Sequence, residues 1–62
     1  MDWNKIMEMK DPREALKAIM RKAEAELTPL EEVMERVEQY ANLHGIEVME
    51  MAYYPNGERV LD

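Results

Sequence analysis

The sequence predicts an α+β fold in which three helices precede a C-terminal β-hairpin, within one small domain (residues 1–62) that is expected to be dimeric. Apolar residues recur at helical spacing through most of the chain, and a Pro-x-Glu start signal occurs twice. β-branched and aromatic residues then cluster before a Pro-Asn-Gly turn. The predicted helices span about 3–10, 12–27 and 29–44, and the predicted strands span about 46–54 and 58–61.

Capping residues predict where the helices begin and end. Asp2 precedes the first apolar stripe, and Asp11 precedes a proline at the first helical position, so both aspartates are suited to cap a helix N-terminus. Thr28 precedes Pro29 in the same way and is the predicted cap of the next helix. Gly45 is suited to the left-handed position that ends a helix, because glycine adopts it without steric cost.

Pro29 decides how the two long helices are joined. Mostly apolar residues spaced alternately four and three positions apart form a heptad seam that continues past Pro29 without interruption. Its members are Leu16, Met20, Ala23, Leu27, Leu30, Met34, Val37, Ala41 and His44. One long kinked helix that self-associates as a coiled coil would give this pattern, and so would two separate helices whose apolar stripes are in phase. A proline in mid-helix costs about 3 kcal/mol, and the residue before it avoids the helical region. The sequence therefore favours a break at Thr28.

The predicted hairpin leaves part of its first strand without a partner. With residues 55–57 as the loop, the return strand 58–61 pairs with residues 51–54, and residues 46–49 face no strand of this chain. An unpaired strand edge is a template for another chain. We therefore expect a second copy of the protein, or another protein, to bind there.

Both faces of the predicted strand are substantially apolar, which also indicates an interface. Methionine is frequent in the chain, with seven in 62 residues, and its flexible side chain suits adaptable binding. Trp3 is a further candidate anchor for a partner. The candidate interface residues are Trp3, Ile46, Val48, Met49, Met51, Tyr53, Tyr54 and Leu61.

Composition excludes several classes of function. The chain has no cysteine and one histidine, so disulfides and the usual zinc clusters are ruled out, and no metal or cofactor is expected. It has no serine, so the usual nucleophile–histidine–acid arrangements are ruled out and an enzyme is not expected. The net charge of −6 disfavours direct binding to nucleic acid or to an anionic membrane. With no apolar segment long enough to span a bilayer and no signal-peptide pattern, we expect a cytoplasmic, protein-binding or regulatory module.

An acidic face on the third predicted helix suggests an alternative function. Glu31, Glu35 and Glu38 lie four and three residues apart, and therefore on one side of a helix. A solvated helix surface would explain them. The functional alternative is a mimic of nucleic-acid phosphates that inhibits a nucleic-acid-binding protein, as anti-CRISPR or anti-restriction proteins of phages do.

Three helices followed by a hairpin resemble the winged helix in outline, with a helix-turn-helix-like junction at residues 28–29. The helix that would read DNA spans residues 30–38 and is acidic, whereas base readout needs arginine, lysine or polar residues. The resemblance therefore implies a protein-binding variant and no contact with DNA.

Overall fold

The structure is a computed structural model that describes residues 2–51. These residues contain four helices in chain order: α1 (Trp3–Glu8), α2 (Pro12–Glu26), α3 (Leu30–His44) and α4 (Val48–Met51). Residues 2–51 contain no strand, so the predicted α+β fold with a C-terminal β-hairpin is wrong and the described chain is all helical. The predicted return strand 58–61 and its turn lie outside the described residues.

The first two helices begin where the aspartates can cap them. The Asp2 carboxylate accepts a hydrogen bond from the Lys5 backbone N–H at 2.9 Å, and the Asp11 carboxylate accepts one from the Arg13 N–H at 3.0 Å. Pro12 occupies the first turn of α2, where its missing N–H leaves no helical hydrogen bond unmade. These two predicted caps are confirmed.

The chain turns sharply between α2 and α3, over residues 27–29. Leu27 adopts the left-handed conformation with φ of 54°, and the Thr28 N–H donates back to the Ala23 carbonyl at 2.9 Å. Thr28 therefore completes the end of α2 instead of capping α3, and the predicted threonine cap is wrong. Pro29 occupies the N-cap position of α3 with no side-chain cap, and its carbonyl accepts from the Glu32 and Val33 N–H groups.

The segment predicted as the first strand contains a short helix. Strand alternation would place Met49 and Met51 on one face, but Met49 is 71% exposed and Met51 is fully buried. The physical reason is tertiary packing: α4 contacts both α2 and α3 and buries Met51, and this packing overrides the weak strand propensity of residues 46–51. Residues 46–51 therefore supply no strand for the wing of the winged-helix outline, and the rest of the predicted wing lies outside the described residues.

The core of the described residues is built around α2 and α3. α1 and α4 each contact both α2 and α3. The buried apolar residues are Ile6, Ala15, Leu16, Ile19, Ala23, Val33, Val37, Tyr40, Ala41 and Met51. Two polar contacts attach the end of α1 to α3: the Tyr40 hydroxyl donates to the Met9 carbonyl, and the His44 ring nitrogen Nε2 lies 2.7 Å from the Met7 carbonyl. The Tyr40 and His44 rings stack with centroids 4.0 Å apart.

Candidate protein-binding surface

Large apolar side chains are exposed where α2 turns into α3. Leu27 is 88% exposed, Leu30 74% and Met34 48%. Together with the partly buried Met20 they form what we call the corner surface. A groove of about 400 Å³ runs along it, lined by Met20, Ala23, Glu24, Leu27, Thr28, Leu30 and Val33.

Helix geometry places the corner surface on the side of the α2–α3 pair away from Trp3. Lys22 and Arg36 lie over the Trp3 ring, with Nζ 5.3 Å and Cζ 4.7 Å from its centroid, so they mark the side that α1 covers. Met20 and Met34 each precede one of these cations by two residues, which is about 200° around a helix. Both methionines therefore point to the opposite side.

The backbone conformation and the exposure of Leu27 are each unfavourable for the isolated chain. It is the one residue other than glycine with positive φ among residues 2–51, and this region costs an L-residue about 1–2 kcal/mol. Its side chain is also exposed to water, so it adds almost no buried apolar surface that would stabilise the fold. A side chain that costs the monomer in both ways is explained if something outside the chain covers it.

The end of α3 shows the same turn built without these costs. Gly45 has φ of 65° and ψ of 33°, against 54° and 42° for Leu27. The Ile46 N–H donates to the Ala41 carbonyl at 3.0 Å, as the Thr28 N–H donates to Ala23. The predicted left-handed Gly45 is thereby confirmed, and it shows that glycine suffices for this turn.

The predicted interface residues that lie within residues 2–51 differ widely in exposure. Trp3 and Ile46 are partly buried against the core, and Met51 is fully buried within it. Val48 and Met49 are 37% and 71% exposed on α4. Tyr53, Tyr54 and Leu61 lie outside the described residues. The strand edge that motivated this set is absent from residues 46–51, because α4 begins there.

The acidic residues of α3 border the corner surface. Glu31, Glu35 and Glu38 are all exposed. At about 100° per residue, each lies within about 100° of Met34 around α3, on the side away from the core. An acidic rim therefore follows the α3 side of the apolar strip, and Glu24 lines the groove from α2.

Within residues 2–51 we also looked for groups that could bind a metal ion and for helices that could cross a membrane. No group of three or more His, Asp or Glu side chains is placed to hold a metal ion there. In the same residues, no helix combines the length and apolar character needed to cross a bilayer. The part of the chain that is described therefore offers exposed apolar surface as its main distinctive feature.

No protein-family model, curated protein or solved structure matches the chain. A function for it has to follow from its own surface.

The sequence contained a signal for the corner surface that the list of candidate interface residues did not use. Leu27, Leu30 and Met34 belong to the heptad seam, whose regularity favours burial. A chain that folds back at residues 27–29 cannot enclose the residues that form the turn, so the middle of the seam is exposed. The combination of an unbroken seam with a proline break is the sequence pattern that indicates such a surface.

Proposed function

We propose that the protein is a non-enzymatic protein-binding module that acts through the corner surface. The observation that carries the proposal is Leu27, which is 88% exposed and held at a positive φ that glycine would adopt freely. Leu30 and Met34 extend the same apolar strip, and exposed contiguous apolar surface typically marks an interaction site. The groove beside them is shallow and open, and it continues the apolar surface between α2 and α3.

A capture experiment with matched variants tests the proposal. The double variant Leu27→Gly/Leu30→Gln removes the two most exposed side chains of the corner surface, and Leu43→Gln removes another exposed leucine, at 64%, from elsewhere on α3. Each tagged chain is incubated with cell extract supplemented with the untagged chain, and captured proteins are quantified by mass spectrometry. Proteins bound by the wild type and Leu43→Gln should be lost from the double variant. Equal capture by all three chains would reject the corner surface as the binding site.

The acidic rim supports a second candidate, inhibition of a nucleic-acid-binding protein by phosphate mimicry. Glu31, Glu35 and Glu38 are exposed along one side of α3, over about 10 Å of helix at 1.5 Å per residue. Reversing all three to lysine should abolish binding to a basic target while Leu27→Gly/Leu30→Gln leaves it intact. The opposite pattern, in which only the leucine variant loses the target, excludes mimicry.

A further inference from the structure

We draw no further inference here: the strongest candidate, the apolar corner surface between α2 and α3, does not identify its partner, because its α2 border mixes Glu14 and Glu24 with Lys17 and Arg21 and nothing in the described residues shows what covers it.

Discussion

At the scale of single residues, the two helix ends at Leu27 and Gly45 form an internal comparison. Both have positive φ and the same pattern of backbone hydrogen bonds, but one carries a large exposed side chain and the other carries none. The difference in conformational cost between them is therefore attributable to the Leu27 side chain.

Leu27→Gly should raise the free energy of unfolding by up to about 1 kcal/mol, since glycine adopts the left-handed region without strain and no buried contact is lost. Urea denaturation of protein dilute enough to be monomeric measures this. Met34→Gly is the matched control: Met34 lies in mid-helix, where glycine should lower stability by about 1 kcal/mol. A loss of stability in both variants would contradict the account of Leu27.

Tyr40 introduces a dependence of stability on alkaline pH. Burial raises its pKa above the ordinary value of 10.0, and the nearby negative charge of Asp11 raises it further. The unfolded state therefore ionises first as pH rises, so stability is fully present below about pH 10 and falls as pH increases toward the folded-state pKa.

Tyr40→Phe should remove this part of the alkaline loss and, at pH 7, should lower stability by about 0.5–1.5 kcal/mol, because the hydrogen bond to the Met9 carbonyl is lost. Urea midpoints measured from pH 8 to 11 for both proteins provide the comparison. Parallel curves for wild type and variant across this range would show that Tyr40 does not carry the effect.

At the scale of elements, α4 depends on one side chain for its position. Met51 is fully buried, whereas Val48 and Met49 are exposed. The short helix contacts both α2 and α3. A helix of four residues has almost no stability of its own, so its packing determines its structure.

Met51→Ala should therefore lower the free energy of unfolding by about 2–5 kcal/mol, the range for truncating buried methionine, while Met49→Ala should change it by less than about 0.5 kcal/mol. Chemical denaturation followed by circular dichroism measures both. Equal effects would favour the strand, because alternation places the two methionines on one face.

The contrast between α2 and α4 shows which elements the sequence could predict. Asp11 and Pro12 determine the start of α2 through local chemistry that needs no tertiary structure, and Gly45 ends α3 in the same way. Residues 46–51 have no such signal, and their structure depends on packing of Met51 against two distant helices. Strand propensity also depends strongly on context, so the β-branched and aromatic residues around Val48 were only weak evidence for a strand.

The candidate surface was less predictable than the helices, for a related reason. The seam identified Leu27, Leu30 and Met34 as a set, but the pattern alone does not distinguish burial within one chain from burial between chains. The geometry of the turn leaves all three side chains exposed, and the turn involves the unexpected left-handed Leu27.

At the scale of the whole molecule, the chain has two unlike sides. On one side α1 covers the α2–α3 pair, with Trp3 beneath Lys22 and Arg36. The other side exposes the corner surface near the turn. A domain of this size buries a smaller fraction of its surface than larger domains do, so coverage of the second side would add appreciably to its stability.

If the dimer expected from the sequence forms, the thermal midpoint should rise with protein concentration, because association stabilises the folded state by mass action. Calorimetry from 10 to 1,000 μM should show the rise in the wild type and a flat response in Leu27→Gly/Leu30→Gln. A midpoint independent of concentration in the wild type would mean that folding is not linked to association.

The strained leucine at the turn has a practical consequence for anyone who engineers this chain. A screen that selects for thermal stability of the isolated monomer would favour glycine at position 27, because that change relieves backbone strain and removes an exposed apolar side chain. The selected variant would be easier to handle and would have lost the most exposed side chain of the proposed binding surface. Under the proposed function, stability and partner recognition therefore make opposite demands at Leu27, and selection for either property should be checked against the other.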